Sequence, residues 1–283
     1  EGKSAAYIRL FRRAALLYLI GLFYYGGVSR DGGPEMFRFV GVLQRIAFCY
    51  LVGGLLFLNL RLRGMIVACA LLLLGYWAMM AFIPVPGVGA GNFEEGKNLA
   101  NYLDTHYLPG FKWDGDWDPE GLLSNLAAVG SGVLGIFAGM ILINTNLTPA
   151  RRIYSFLALG AGCLLAGWLW GFQFPINKKL WTSSFVLFAA GWSYLLVALF
   201  YTVIDVLKFD RWAQPFVWIG MNSITIYMLT NIIDFQGLVR RVIHQQMLTA
   251  MGAWGPLVIS VLSLSLSVGI CYLLYKKKIF LRV

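Results

Sequence analysis

The sequence predicts an all-α polytopic membrane protein, and three observations carry this prediction. Hydrophobic residues make up 59% of the 283 residues and charged residues only 13%, whereas a soluble domain is about one quarter charged. The mean hydropathy is +0.70. The apolar residues form continuous runs of about 20, which is the length that a helical span requires. We expect helices rather than a barrel, because barrel strands are short and alternate in polarity.

Eight such runs are predicted to span the membrane, within a single domain that covers residues 1–283. They lie at about 8–27, 39–60, 64–84, 122–144, 153–173, 182–204, 214–233 and 255–275. One long outer loop covers residues 85–119. Within this loop, a short amphipathic helix is expected to place Leu99, Leu103 and Tyr107 on one face. A second outer segment, residues 234–255, is expected to lie along the membrane interface.

The distribution of charge predicts that both termini lie in the cytosol. The net charge is +10, and this orientation gives the cytosolic segments fourteen of the lysines and arginines and the outer segments eight. The outer segments also hold ten of the 13 acidic residues. The positive-inside rule therefore favours an N-in, C-in topology. The basicity thus predicts a lipid bilayer as partner and no nucleic acid. The four cysteines fall inside predicted spans and indicate buried thiols rather than disulfides.

An arginine lies inside the second predicted span, in the stretch GVLQRIAFCY. A charge near the bilayer centre costs at least about 2.5–3.5 kcal/mol, so Arg45 needs a compensating interaction. One explanation is snorkelling towards the outer interface, since Arg45 follows Arg38 by seven residues, or about 10 Å of helix. The adjacent Gln44 favours the other explanation, in which Arg45 is a fixed cation that lines a cavity.

The seventh predicted span, PFVWIGMNSITIYMLTNII, is the most polar. Ser223 and Tyr227 follow helical spacing within one polar stripe, and Asn222 lies well inside the span. Polar groups in hydrocarbon need partners. Two explanations stay open, namely hydrogen bonds between helices and the lining of a substrate cavity.

The outer segment FQFPINKKLWTSSF places Asn177 and Lys178 at the outer surface, against the positive-inside trend. Trp181 in the same segment is either a residue of the aromatic belt or a surface on which a sugar ring stacks. A face of small residues on the fourth span, which includes Gly132 and Gly139, is predicted to pack against another helix.

The segment WDGDWDPEGLLSN brings Asp118 and Glu120 to the start of the fourth span. We expect Glu120 to lie in the first turn of that helix, where the helix dipole stabilises an acid. A calcium loop is rejected because Pro119 occupies the place of the required glycine, so no metal is expected. His106 and His244 are both predicted to lie in outer segments, and neither belongs to a metal or triad pattern.

Together these motifs resemble one family closely, the heparan-alpha-glucosaminide N-acetyltransferase family of membrane acyltransferases. The matching stretches are FRFVGVLQRIAFCY, FIPVPG, GDWDPEGLLSNL, LGIFAGMIL, FPINKKLWTSSFVLFAAGWS, GMNSITIYML and YKKKIFLRV. They cover nearly the whole chain in family order. The resemblance implies ten helices in the complete family domain, with two upstream helices that carry a histidine regarded as the catalytic base or acetyl acceptor. That histidine is missing here, so we expect an N-terminally truncated form.

The resemblance implies transfer of an acetyl group from cytosolic acetyl-CoA to the amino group of a glucosamine-type sugar. Such a reaction needs donors for the developing oxyanion in a water-poor site, and we expect Arg45 and Asn222 to act as catalytic residues of this kind. We further expect Glu120 to bind or orient Arg45. The residues expected to contact substrate or coenzyme are Gln44, Asp118, Glu120, Asn177, Lys178, Trp181, Ser223 and Tyr227.

Two other functions stay open at this point. The chain could be an amino-sugar transporter without acyl chemistry, which would have no reason to bind a coenzyme. It could also be a non-catalytic assembly subunit, in line with the missing histidine. A homodimer is a further expectation. The one N-x-S/T sequence, Asn146-Leu-Thr148, falls on the predicted cytosolic side, and this favours the bacterial inner membrane over a lysosome.

Overall fold

The computed structural model describes residues 2–28, 36–243 and 252–280, and these ranges are helical and contain no β-strand. The helices are α1 Lys3–Phe23, α2 Val42–Asn59, α3 Leu62–Phe82, α4 Leu99–Tyr107, α5 Asn125–Ile143, α6 Pro149–Trp170, α7 Ser183–Phe200, α8 Gln214–Met221, α9 Ser223–Ile232, α10 Phe235–Val242 and α11 Gly255–Lys276. The prediction of an all-α protein is confirmed.

Within these ranges, six helices are long and apolar enough to cross a membrane. They are α2, α3, α5, α6, α7 with the π-helical turn that extends it to Val206, and α11. Helix α1 has 21 residues, but its first half is basic. The chain is therefore a polytopic helical membrane protein. The seventh predicted span is not one continuous helix, because the chain breaks at Asn222 between α8 and α9.

Helices α6 and α7 form a close hairpin through facing glycines. A Cβ atom added to Gly191 would lie 2.9 Å from the carbonyl oxygen of Gly160, and one added to Gly167 would lie 2.8 Å from the carbonyl oxygen of Ser184. Small residues allow such backbone contact between membrane helices. The hairpin holds the turn between the two helices, residues 171–182, at the same end of the bundle as the loop of residues 85–119.

The main core joins α3, α5 and the start of α7 beneath the outer loop. Tyr76 is fully buried and donates a hydrogen bond to the carbonyl oxygen of Leu180 at 2.6 Å. Ser183 donates to the carbonyl oxygen of Leu73 at 2.7 Å. The bond from Tyr76 ties α3 to the turn before α7, and the bond from Ser183 ties the start of α7 to the backbone of α3.

The outer loop is folded around the predicted short helix, α4. The side chain of Asn98 caps the helix by accepting a hydrogen bond from the backbone N–H of Asn101. Leu99 is buried and Leu103 packs against the core, as predicted. Tyr107 is 68% exposed, so its place in that apolar face was predicted wrongly. Helix α4 ends at Tyr107, and the side chain of this last residue lies outside the core.

Helix α10 is amphipathic, as expected for an interfacial segment. Phe235 and Val239 are buried, and Val239 packs against Ile259 of α11. Arg240 and Arg241 are exposed at the end of the helix. Residues 244–251 of the predicted interfacial segment, which include His244, lie outside the described residues.

Candidate functional site

A buried cluster of charged residues lies where residues 37–39 meet the outer loop. The backbone of Phe111 donates to the carbonyl oxygen of Phe37 at 2.9 Å, which forms a bridge beside Arg38. Arg38 donates to both carboxylate oxygens of Asp118, at 2.7 Å from Nε and 2.6 Å from Nη2. The same Nη2 also donates to Glu120. Such a two-pronged arginine–carboxylate contact fixes the orientation of both side chains.

The guanidinium of Arg38 is enclosed on all sides. Only 2% of the residue is exposed, and its Cζ lies 5.0 Å from the ring centre of Tyr25 and 5.4 Å from that of Trp113. Burial alone would lower the pKa of Arg38, but the hydrogen bonds and charges of Asp118 and Glu120 raise it above its ordinary value. Arg38 is therefore a permanent buried cation.

A second buried acid, Asp104 of α4, supports the turn that carries these carboxylates. It accepts hydrogen bonds from the backbone N–H groups of Leu122 at 2.9 Å and Asp118 at 3.4 Å. A Cβ atom on Gly121 would lie 1.8 Å from the Asp104 carboxylate, so a glycine is required at this close approach. Burial raises the pKa of Asp104 to about 6.

Glu120 does not lie in the first turn of a helix, contrary to the prediction. Helix α5 begins at Asn125, and no acid lies in its first turn. Glu120 belongs to the preceding turn, whose geometry is set by the bond from its own N–H to Asp118 at 2.9 Å. Its carboxylate is held by Arg38 rather than by a helix dipole, and no hydrogen bond joins Glu120 to Arg45 among the described residues.

Arg45 lies in α2 and is 6% exposed, so it does not snorkel to water. Its Nη2 donates to the carbonyl oxygen of Pro119 at 3.0 Å and to the hydroxyl of Ser124. Its Cζ lies 4.6 Å from the ring centre of Trp181. These contacts offset part of the cost of a buried cation. The Nε and Nη1 atoms of Arg45 have no hydrogen-bond partner in the described part of the chain.

Arg45 lines a cavity of about 1030 Å³ between α1, α2 and α5. Along α2 the cavity extends from Val42 to Leu58, or about 24 Å at 1.5 Å per residue. One end is lined by Arg9 of α1, and the other by charged and aromatic residues of the outer turns. The walls between these ends are largely apolar.

Small residues of α5 form part of this cavity, which corrects the prediction that they only pack against a helix. Gly132 and Gly139 both line the cavity. Gly132 does face Cys49 of α2, but a Cβ atom on Gly139 would meet no atom within 4 Å. The glycines therefore keep part of the cavity open.

The outer end of the cavity is formed by Glu120, Lys178 and Trp181 together with Arg45. Trp181 has a backbone φ of +52°, a left-handed conformation that costs a bulky residue about 1–3 kcal/mol. Its indole N–H donates to the hydroxyl of Ser131 at 3.1 Å. One face of the ring is occupied by Arg45, which leaves that face unable to stack on a sugar.

Other residues predicted to contact ligands have partners within the protein. The side chain of Asn177 accepts a hydrogen bond from the backbone of Lys179 at 2.8 Å, which shapes the turn. Gln44 donates to the carbonyl oxygen of Arg38 at 2.9 Å and packs against Gly21 of α1. Asp118 holds Arg38, as described above. None of Asn177, Gln44 and Asp118 lines the cavity.

The residues predicted on the seventh span are divided by the break at Asn222. Asn222 is 2% exposed, and neither atom of its side-chain amide has a partner among the described residues. It does not line the cavity that contains Arg45. Ser223 is exposed. The hydroxyl of Tyr227 lies 3.3 Å from that of Tyr25, which in turn covers Arg38.

Sequence reasoning missed Arg38 and Asp104. The signal for Arg38 was the density of acids in WDGDWDPE, which requires a cation nearby. Nothing in the sequence selected Arg38 from the other outer cations, because its partner Asp118 lies 80 residues away. Among the described residues, no group of three His, Cys, Asp or Glu side chains is placed to hold a metal ion.

Fold and site thus define a polytopic helical membrane protein with a mostly apolar cavity that ends at a buried arginine. No family model matches the chain. Heparan-alpha-glucosaminide N-acetyltransferase of Homo sapiens is 28% identical over an alignment of 306 residues, which covers 87% of this chain and 44% of that protein. The protein of the same name from Mus musculus is 28% identical over 245 residues, which covers 73% of this chain and 35% of that protein.

These matches support the resemblance at the level of the family. The chain spans less than half the length of the curated relatives that it matches.

Proposed function

We propose that the chain is a transmembrane N-acetyltransferase that moves an acetyl group from cytosolic acetyl-CoA to the amino group of a glucosamine-type sugar. The names of the two relatives supply the reaction class. The observation that carries the proposal is the cavity that ends at Arg45, where two N–H donors of a buried guanidinium have no partner in the described part of the chain.

The shape of the cavity suits a long donor that enters from one side. Under the predicted topology, the end near Arg9 faces the cytosol, and the cavity leads from there to Arg45 across about 20 Å of α2. The anionic nucleotide of acetyl-CoA would stay at the basic cytosolic surface. Its thin pantetheine arm would follow the cavity and bring the thioester to Arg45.

The residues at the outer end can serve the chemistry of acyl transfer. When a neutral amine attacks the thioester carbonyl, negative charge develops on the oxygen, and the coenzyme thiol leaves as the amide forms. The free N–H groups of Arg45 would stabilise this oxyanion in a site with little water. Glu120 is the acid that lines the cavity among the described residues. It would bind the ammonium form of the acceptor and accept its proton.

The test is calorimetric titration of the native full-length protein in detergent with acetyl-CoA. We expect micromolar binding that Arg45→Ala weakens at least tenfold, since a charge-assisted hydrogen bond contributes about 1.5–3 kcal/mol. Arg61→Ala is the matched control, because Arg61 is exposed at the start of α3 and does not line the cavity. Equal loss in both variants, or no binding by folded wild-type protein, would refute the proposal.

A transporter of amino sugars is the second candidate, since the cavity also extends between the two faces of the bundle. Its largely apolar walls do not suit a polyhydroxylated sugar, which needs hydrogen-bond partners along its path. Uptake of labelled glucosamine into proteoliposomes, without coenzyme binding, would favour the transporter. The homodimer and the bacterial inner membrane are also parts of the proposal. Cross-linking in native membranes and membrane fractionation would test them.

A further inference from the structure

We propose that Arg38 is the positioning residue for the acceptor amine, because it holds the carboxylate of Glu120 at the outer end of the cavity. The inference rests on the proposed function and adds to it a residue that contacts neither substrate. The acceptor class that this arrangement fits is a primary amine, which binds as an ammonium ion against a fixed carboxylate.

Arg38 cannot contact a ligand itself. It is 2% exposed, it does not line the cavity, and the rings of Tyr25 and Trp113 both pack against its guanidinium. The Nε and Nη2 atoms of Arg38 both donate hydrogen bonds to carboxylates. Any effect of Arg38 on a substrate must therefore act through Asp118 or Glu120.

The two carboxylates that Arg38 holds differ in their surroundings. The Asp118 side chain is fully buried, and it also accepts hydrogen bonds from the backbone of Trp113 at 3.1 Å and of Glu120 at 2.9 Å. The Glu120 side chain is 18% exposed and lines the cavity. Asp118 thus anchors the guanidinium in the protein, and Glu120 is the partner that a ligand can reach.

The planar guanidinium is needed for this arrangement. Arg38 uses Nε and Nη2 on Asp118 while Nη2 also reaches Glu120. A lysine carries one compact ammonium and cannot reproduce a fork that spans two carboxylates. Arg38→Lys therefore keeps the buried charge but releases Glu120 from its fixed position.

The experiment is a double-mutant cycle on the native full-length protein, with Arg38→Lys, Glu120→Gln and the double variant. Calorimetry measures the affinity for glucosamine and, separately, the affinity for acetyl-CoA. We expect each single variant to weaken glucosamine binding about 10- to 100-fold, as for loss of a close charge pair. The double variant should be no weaker than Glu120→Gln alone, because Arg38 acts through Glu120. Arg61→Lys is the control and should leave both affinities unchanged.

Thermal unfolding in detergent shows whether each variant is folded, and the affinity for acetyl-CoA keeps the two proposals apart. Unchanged acetyl-CoA binding with a non-additive cycle supports both. A non-additive cycle in a protein that binds no acetyl-CoA supports the role of Arg38 and refutes the acetyltransferase. The role of Arg38 is overturned if the double variant loses glucosamine affinity by the product of the two single losses. It is also overturned if Arg38→Lys has normal glucosamine affinity. The role of Arg38 is likewise overturned if the wild-type protein binds no glucosamine or if Glu120→Gln binds it normally.

Discussion

Replacement of Arg45 by methionine should separate stability from activity. The change removes the hydrogen bond to the carbonyl oxygen of Pro119, which costs about 1–3 kcal/mol for an unpaired buried acceptor. It also removes the contact with Trp181 at 4.6 Å, which contributes about 2 kcal/mol in a desolvated site. Ser124 keeps its other bond, to the carbonyl oxygen of Gly121 at 3.1 Å.

The substitution also stabilises the protein, because it removes a buried cation with two unpaired donors. Insertion scales assign such a cation a cost of about 2.5–3.5 kcal/mol, and methionine fits an apolar cavity well. The opposing contributions leave a net destabilisation of about 1 kcal/mol, and at most about 2.5 kcal/mol. Turnover should fall by about 10²–10³, as when a donor to an oxyanion is removed.

Two measurements on one preparation test the predicted small loss of stability and large loss of turnover in Arg45→Met. Thermal unfolding in detergent gives the change in stability, and acetyl transfer to glucosamine in proteoliposomes gives turnover per folded molecule. Arg61→Met serves as control for the loss of one exposed cation. Normal turnover of a strongly destabilised Arg45→Met protein would show that Arg45 is a structural residue, and would refute this reasoning.

Three more predictions concern the cavity, the helix break and the outer loop. Gly139→Leu should fill the cavity without a clash and abolish acetyl-CoA binding in calorimetry, whereas Gly135→Leu, on the same helix but outside the cavity, should bind normally. Asn222→Leu should raise the thermal unfolding temperature, because the buried amide has no partner among the described residues and costs about 1–3 kcal/mol; a lower temperature would show that the amide is paired in solution. The pKa of Asp104 is raised to about 6 in the folded protein, so the folded state binds this proton more tightly than the unfolded chain. The free energy of unfolding should therefore fall by up to about 3 kcal/mol as the pH rises from about 4 to about 6, and it should stay level at higher pH. Asp104→Asn should flatten this slope in urea titrations, and an unchanged slope would assign it to other groups.

The long apolar helices could be predicted from composition, because a bilayer requires about 20 apolar residues whatever their neighbours. The break at Asn222 could not. Helices α8 and α9 are both hydrophobic on average, and hydropathy does not register where a helix stops. Arg45 was found because a charge in an apolar run is conspicuous. Its partners Pro119 and Ser124, 74 and 79 residues away, follow only from the fold.

The turn of residues 118–124 explains why two buried arginines are tolerated so close to the membrane. Its side chains Asp118 and Glu120 take up Arg38, while its backbone at Pro119 takes up Arg45. Carboxylates accept the hydrogen bonds of Arg38, whereas the hydrogen-bond partners of Arg45 in the described part of the chain are an uncharged carbonyl and a hydroxyl. The turn therefore holds one cation outside the cavity that is already paired and one that lines the cavity and still attracts an anion. Because Asp104 supports this turn by accepting two backbone hydrogen bonds, Asp104→Leu, which removes both acceptor oxygens, should reach both arginines, and stability and ligand affinity should fall together in this variant.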